Sequence, residues 1–326
     1  PLKSLLYRFA GNARGYLDHD FTKQRRDWKE CLDIGIPGSR DWNLKDDDIR
    51  NSCLDGFNRF PTEIELPEFR STVIKYFQAL EDLSHRISVL MVKGLGVEMS
   101  VSDGIDGTEK SLLSMLKEEH SSYLRLARYP PRSEIVDEEQ VEAENDEKSE
   151  HYGTNAHSDV GWLTIFLDDP TCFTQQVRMP GSEDDWITVK PAPQSFTILT
   201  GDMVNLWSNK KYASACYRML LDPNKHQHSA LYFYNPGYNT IVSPCMELTE
   251  ADTSEFVPCS YGYYRAVRYA EDLAQLGREI SVLDYEVKSD SKHPEKQERF
   301  LKNADMNEPF NVQNYRKWIQ SNEKDT

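Results

Sequence analysis

The chain has 326 residues, 38 basic against 54 acidic, and a net charge of −16. An acidic chain is a poor partner for nucleic acid, because binding a phosphate backbone requires basic surface. A content of 38% hydrophobic and 11% aromatic residues excludes a wholly disordered chain. The longest apolar runs, such as residues 230–234, are far shorter than the roughly 20 residues of a membrane helix. We therefore expect a globular cytoplasmic monomer with no membrane partner.

The acidic residues are concentrated in one short segment. Residues 133–150 contain nine acids and one lysine, and we interpret them as a solvated loop. The six cysteines show neither a CxxC pair nor the spacing of a zinc ribbon. We therefore expect buried free thiols rather than a disulfide framework.

The first 120 residues are predicted to be mostly helical. Residues 69–95 carry apolar side chains at three- and four-residue steps, which predicts a long amphipathic helix. Residues 106–120 have a similar apolar face and are predicted to form a second helix.

From residue 121 the pattern changes to short strands separated by turn residues. Residues 123–129 alternate in polarity and end at two prolines. Further strands are predicted at 163–167, 186–189, 196–199, 204–207 and 229–234. A helical period returns at 264–276 and a polar tail follows from 288. The prediction is an α+β fold forming one compact unit, with a helical N-terminal region (1–120), a β core (121–245) and C-terminal helices with a tail (246–326).

Candidate functional residues begin with His157 and Asp159, just before a predicted strand. Alternate residues of a strand point to the same side, so the imidazole and the carboxylate can converge on one metal ion. The pair by itself is a weak signal and more often represents a surface histidine beside a turn-capping aspartate.

The surrounding sequence favours the metal site. Residues 155–167 (NAHSDVGWLTIFL) closely resemble the metal-ligand strand of the iron(II)/2-oxoglutarate-dependent dioxygenases, in the isopenicillin-N-synthase-like branch. The resemblance continues in order through residues 123–131, 186–209, 212–220 and 229–236. It implies a double-stranded β-helix, or jelly roll, with supporting helices. It also implies Fe(II) held by two histidines and one aspartate, with places left for 2-oxoglutarate and O2.

Three positions depart from the family pattern. His157 and Asp159 match the first two ligands, but the position of the distal histidine is occupied by Tyr217. A neutral phenol with a pKa near 10 is a poor ligand for Fe(II). The asparagine that helps to hold the co-substrate falls on Ala127.

The third departure concerns the far carboxylate of 2-oxoglutarate. The family holds this carboxylate with an arginine fork, and here Gln227 takes the position of that arginine. Tyr129 and Ser229 match the remaining co-substrate contacts. From these three departures we expect Fe(II) to be absent or weakly bound and 2-oxoglutarate not to be used.

Three functions remain open from the sequence. The first is a redox-neutral cyclisation, isomerisation or pericyclic reaction on a small, largely apolar secondary metabolite, with His157, Asp159 and Tyr217 as catalytic groups. The second is a non-haem iron oxidoreductase with an incomplete ligand set, and the third is a non-catalytic ligand-binding relative. The side chains expected to line the pocket are Arg125, Trp162, Phe166, Trp207 and Phe233.

Overall fold

The computed structural model describes residues 2–8, 12–23, 25–38, 54–97, 113, 116–117, 120–135, 151–179, 181–182, 184–249, 254–274, 280–287 and 311. Its helices are α1 (Leu2–Leu6), α2 (Phe69–Gly94), α3 (Asp202–Trp207) and α4 (Tyr261–Ala274). Short 3-10 turns occupy Arg132–Glu134, Met246–Leu248 and Val282–Tyr285. None of the described helices combines the length and hydropathy that a membrane span requires.

Fourteen strands are described. They are β1 (Gly15–Leu17), β2 (Asp20–Thr22), β3 (Arg25–Asp27), β4 (Glu30–Gly35), β5 (Tyr123–Tyr129), β6 (Tyr152–Ser158), β7 (Leu163–Asp168), β8 (Gln175–Arg178), β9 (Trp186–Thr188), β10 (Thr197–Thr200), β11 (Cys216–Leu220), β12 (Gln227–Tyr234), β13 (Ile241–Val242) and β14 (Cys259–Ser260).

Two antiparallel sheets form the body of the molecule. The larger sheet has the order β1-β4-β5-β12-β7-β10, and the smaller has the order β6-β11-β8-β9. Strands that are distant in sequence are neighbours in each sheet, as expected for a jelly roll. The predicted α+β class and double-stranded β-helix are confirmed by this topology together with the structural relatives described below.

The long helix α2 covers the outer face of the larger sheet. Its buried residues, which include Val73, Phe77 and Leu80, recur at three- and four-residue steps. The Phe77 ring meets Tyr232 of β12 edge-on, with ring centroids 5.0 Å apart. Since successive strand residues face opposite sides, Phe233 of β12 points into the space between the sheets. Both faces of β12 are therefore covered, which explains its nearly continuous hydrophobic sequence.

Most predicted elements are found within a few residues of their expected bounds. The helix predicted at 69–95 is α2, and the strands predicted at 123–129 and 163–167 are β5 and β7. The helix predicted at 106–120 and the acidic segment 133–150 lie largely outside the described residues. The cysteines among the described residues are free thiols, as expected, although Cys216 and Cys245 are only partly buried.

Two predictions about secondary structure are corrected. Residues 204–207 were expected to form a strand but belong to helix α3, all six residues of which are buried. A short apolar run has no periodicity that separates a buried strand from a buried helix.

The interpretation of residues 1–120 as mostly helical misses the four strands between Gly15 and Gly35, one of which, β4, pairs with β5 of the core. These strands are too short, and too rich in charged residues, to show a clear alternation.

Candidate functional site

His157 and Asp159 lie at the wall of a cavity between the two sheets. His157 is in β6 and Asp159 follows this strand directly, so both side chains reach the same space. His157 Nε2 is 3.5 Å from Asp159 Oδ1. His157 Nδ1 donates a hydrogen bond of 2.7 Å to the carbonyl of Asn155. This bond places the proton on Nδ1 and leaves the Nε2 lone pair available to a metal.

Asp159 is held in its ionised form. Burial by itself would raise the pKa of this carboxyl, but the contact with His157 and hydrogen bonds from Thr164 and Tyr217 hold it below its usual value. Thr164 Oγ1 donates to Asp159 Oδ2 over 2.5 Å, and Tyr217 Oη donates to Oδ1 over 3.2 Å. Asp159 is thus an oriented carboxylate, as a metal ligand has to be.

Tyr217 lies at the position of the missing third ligand. It is the direct cross-strand neighbour of His157 in the β11–β6 pairing, and the two ring centroids are 4.6 Å apart. Burial, followed by the charge of Asp159, raises the pKa of Tyr217 well above its ordinary value. The side chain is therefore a neutral phenol that donates a hydrogen bond, rather than a phenolate ligand. Among the described residues, no group of three or more His, Cys, Asp or Glu side chains converges on a metal position.

A second layer of residues holds the His157–Asp159 segment in place. The amide of Asp202 donates to the carbonyl of Asp159 over 2.8 Å, and a Cβ at Gly201 would lie 2.3 Å from the carbonyl oxygen of Gly161. The fully buried Asp202 carboxylate accepts hydrogen bonds from Tyr264 Oη at 2.6 Å and from Ser158 Oγ at 3.2 Å. Tyr264 was not among the predicted site residues, because α4 is more than a hundred residues away in sequence.

Tyr129, Gln227 and Ser229 meet at one end of the space between the sheets. Gln227 of β12 lies opposite Tyr129 of β5, and Ser229 follows on the same face of β12. Gln227 is 1% exposed and accepts a hydrogen bond from Thr174. Burial raises the pKa of Tyr129, although the charge of Lys29 opposes this shift. The three predicted co-substrate contacts are therefore neighbours in the structure, and they form an uncharged wall.

The predicted pocket residues divide into two groups. Arg125 and Phe233 line the cavity, and Phe166 stands behind it with its ring edge-on to Tyr217 at 5.3 Å. The prediction for Trp162 and Trp207 is wrong. Their rings pack against each other at 5.5 Å in the core beside α2 and α4, away from the cavity. Trp162 is fully buried in that core, although Gly161, the residue before it, lines the cavity.

The cavity carries more positive charge than the sequence suggested. Its lining contains six cationic side chains, namely Arg8, Arg14, Lys29, Arg125, Arg265 and Arg268, against the carboxylates Asp20, Asp33 and Asp159. Five of these cations have a carboxylate within 4 Å. Arg265 of α4 has none among the residues that the structure describes. Its guanidinium lies 5.8 Å from the centroid of the Tyr123 ring, which itself stacks on Phe233 at 4.5 Å.

Comparisons with known proteins show which family this chain resembles. Residues 121–236 match the model of the 2OG-Fe(II) oxygenase superfamily. Jasmonate-induced oxygenase 3 of Arabidopsis thaliana is 30% identical over 66% of this chain and 52% of its own length. The 2-oxoglutarate-dependent dioxygenase caaD of Aspergillus niger is 32% identical over 60% of this chain and 50% of its own. The chain thus spans about half the length of these relatives.

Solved structures give the same result. A crystal structure of JOX2 in complex with 2OG, Fe and JA is 25% identical, with a TM-score of 0.56 over 78% of this chain and 64% of that one. A full-length Neurospora crassa protein in complex with alpha-KG and thymine has a TM-score of 0.61 over 82% of this chain and 77% of its own, at 20% identity, and shows the fold alone.

The jelly roll, the His157–Asp159 pair and these matches define a double-stranded β-helix oxygenase core. Residues 121–236 of this chain are thus similar in sequence to the 2OG-Fe(II) oxygenase superfamily, and the chain shares the fold of its solved relatives.

The expectation about cofactors is contradicted by the comparisons. We expected Fe(II) to be absent or weakly bound and 2-oxoglutarate not to be used, whereas the JOX2 structure holds both iron and 2OG and the Neurospora crassa structures hold alpha-KG. That expectation treated three substitutions as a loss of cofactor chemistry. The residues present do fit the cofactors in part. His157 Nε2 and the ionised Asp159 lie side by side at the cavity wall, and the predicted co-substrate contact Ser229 lies across from Asp168, which has buried polar atoms without hydrogen-bond partners among the described residues.

Proposed function

We propose that this chain is an Fe(II)- and 2-oxoglutarate-dependent oxygenase-type enzyme acting on a small, largely apolar molecule that carries an acidic group. The observation that carries the proposal is the His157–Asp159 pair, which is oriented by Asn155 and Thr164 at the cavity wall. Bound iron would supply O2 activation at that position. The residues of the chain position it, keep Asp159 ionised and enclose the reacting molecule in a cavity lined by both aromatic and charged side chains.

The acidic group of the substrate is inferred from Arg265. Arg265 lines the cavity together with Tyr123, whose ring is 5.8 Å from the guanidinium, and with Phe233, which stacks on Tyr123. An apolar body would pack on these rings while a carboxylate would pair with Arg265, the only cation of the lining that has no carboxylate neighbour among the described residues. The JA complex of JOX2 supports the same substrate class.

Replacing Arg265 with glutamine should remove the preference for acids. We expect binding of an apolar carboxylic acid to weaken about 10- to 100-fold, the value of a charge-assisted hydrogen bond. Binding of the matching amide should change little. Isothermal titration with acid–amide pairs of graded chain length measures both, and Arg178→Gln, on the exposed surface of β8, is the control. Equal losses for acid and amide would contradict a role in charge recognition.

Replacing Tyr217 with histidine should strengthen metal binding. The new imidazole would lie directly across from His157 and could complete a set of three protein ligands. We expect at least a tenfold gain in Mn(II) or Fe(II) affinity, or about 1.4 kcal/mol. Tyr217→Phe is the matched control, since it removes the hydroxyl without adding a ligand. If the histidine variant binds no more tightly than the phenylalanine variant, Tyr217 is not at the third ligand position.

A redox-neutral reaction in the same cavity is a second candidate. The observation that favours it is the buried Tyr217 hydroxyl, which is bonded to the Asp159 carboxylate and could act on a substrate as an acid. The two functions differ in one product. An oxygenase converts 2-oxoglutarate to succinate with consumption of O2, whereas a cyclase or isomerase releases its product without either. Anaerobic product formation without succinate would therefore establish the second candidate and overturn the first.

A further inference from the structure

Asp168 lies on the inner face of the larger sheet, beyond the lining of the cavity and beside the predicted co-substrate contact Ser229. Thr164, Phe166 and Asp168 alternate along β7, so they share one face. Thr164 bonds to Asp159 and Phe166 packs on Tyr217, which shows that this face looks inward. Asp168 is therefore on the same inward face of β7 as Phe166, two residues further along the strand.

The pairing of β7 with β12 places Asp168 directly across from Ser229. Cβ atoms of such directly opposed residues lie about 4.5–5.5 Å apart. Gln227, two residues before Ser229 on β12, is on the same face of the sheet. Thr174, whose hydroxyl bonds to Gln227, directly precedes Gln175, the first residue of β8.

Three of these side chains, Asp168, Gln175 and Ser229, have buried polar atoms without a hydrogen-bond partner among the described residues. Both carboxylate oxygens of Asp168 and both amide atoms of Gln175 are buried without a hydrogen-bond partner among the described residues. The two residues are only 8% and 2% exposed. A buried polar group without a partner is costly, so such a pair is expected to meet a polar ligand.

We propose that Asp168 binds 2-oxoglutarate as a neutral carboxylic acid and donates a hydrogen bond to its far carboxylate, so that binding takes up one proton. The proposal rests on the function proposed above, since it places the far carboxylate between Tyr129, Gln227 and Ser229. In this position no arginine among the described residues neutralises the ligand, and an ionised Asp168 would repel it. A protonated Asp168 supplies a hydrogen-bond donor for the far carboxylate. Gln227 can donate only a weaker hydrogen bond to it.

The charges around Asp168 are compatible with protonation. Burial, followed by the neighbouring Asp169, raises the pKa of Asp168 to about 6. Tyr129 faces it from β5 and is neutral, because burial raises the pKa of that phenol. Lys29, whose charge acts on Tyr129, forms ion pairs with Asp27 at 2.8 Å and with Asp20 at 3.2 Å.

The test is titration of 2-oxoglutarate into the Mn(II)-loaded protein at pH 6 and pH 8, in two buffers of different ionisation enthalpy. If only the protonated form binds, affinity should fall about 50-fold between these pH values, and about one proton should be taken up at pH 8. In Asp168→Asn the proton uptake should disappear and affinity at pH 8 should approach that of the wild type at pH 6. Asp184→Asn, an exposed acid on the surface, is the matched control.

A second variant covers the case in which Asp168→Asn does not fold. Gln227→Arg would place a cation beside Asp168, so 2-oxoglutarate should bind more tightly at pH 8 and without proton uptake. A wild-type affinity that is independent of pH, with no proton uptake, would overturn the role of Asp168 and leave the oxygenase function intact. Absence of 2-oxoglutarate binding in every variant at both pH values would overturn the proposed function, and this inference with it.

Discussion

Replacing His157 with alanine should abolish metal binding and succinate formation together. His157 and Asp159 are the two side chains of the described site that can hold a metal, so the change removes half of the protein's ligands. Changes in residues that only orient a ligand already cost about 10- to 100-fold in metal affinity, so loss of a ligand should cost more than about 100-fold. Anaerobic titration with Fe(II) or Mn(II) measures the affinity, and succinate release measures the activity.

The matched control for this experiment is His228→Ala. His228 is an exposed residue of β12 whose side chain faces away from the cavity, so its loss should leave metal affinity unchanged. Metal binding that survives in His157→Ala would show that the metal is held elsewhere, and the assignment of the site would be wrong. Circular dichroism of both variants distinguishes loss of a ligand from loss of the fold.

Replacing Asp33 with alanine should destabilise the whole core. Asp33 is 2% exposed and accepts two hydrogen bonds from Arg125, at 2.7 and 2.8 Å, while Arg8 lies 3.5 Å away. The pair joins β4 to β5, because Asp33 and Arg125 are direct cross-strand neighbours. Removing one partner of a buried ion pair leaves an uncompensated charge and costs about 3–5 kcal/mol. Asp20 also contacts Arg125, at 3.1 Å, and would still neutralise part of its charge. The destabilisation should therefore be close to about 3 kcal/mol.

The effect of Asp33→Ala should depend on pH. Burial by itself would raise the pKa of Asp33, but the charge and hydrogen bonds of Arg125 hold it below its usual value. A carboxyl whose pKa is lowered by folding stabilises the protein above its unfolded pKa of about 4 and loses this contribution as the pH falls towards the folded pKa.

Urea unfolding at several pH values measures this dependence. The difference in unfolding free energy between wild type and Asp33→Ala should be constant from about pH 7 to pH 5 and shrink below about pH 4. Asp184→Ala, which removes an exposed acid, should leave the unfolding free energy within about 0.5 kcal/mol of the wild type. A difference for Asp33→Ala that does not change on acidification would mean that the carboxylate is not the stabilising group.

Part of the site could be predicted from local patterns. His157 and Asp159 are two residues apart at the end of a strand, and this spacing alone brings an imidazole and a carboxylate to one place. Tyr217 was predicted through the resemblance to a third-ligand strand, and the structure places it next to His157 because β11 and β6 pair in that register. The register itself is a property of the sheet that cannot be derived from either strand alone.

Other parts of the site have no local signal. Arg265 and Tyr264 lie on a helix that follows the jelly roll by many residues, and their amphipathic pattern predicts only a buried helix face. Trp162 and Trp207 were assigned to the pocket because aromatic residues often line one, yet they pack together in the other core. Which side of a buried segment faces a cavity is decided by packing from both sheets, and hydrophobicity is similar on the two sides.

The sequence by itself therefore determined the class of fold, the long helix α2, most strands of the β core and the pair of candidate metal ligands. The helix and the strands follow from periodicity, which is local, whereas the jelly roll and the metal ligands were predicted through the resemblance of residues 155–167 and the segments around them to a known family. The tertiary structure alone decided the partner of each buried charge, the neutral state of Tyr217, the place of the Arg265 guanidinium at the cavity and the position of Asp168 beside Ser229. These features depend on contacts between segments tens to hundreds of residues apart, where burial and neighbouring charges set the chemistry of each side chain.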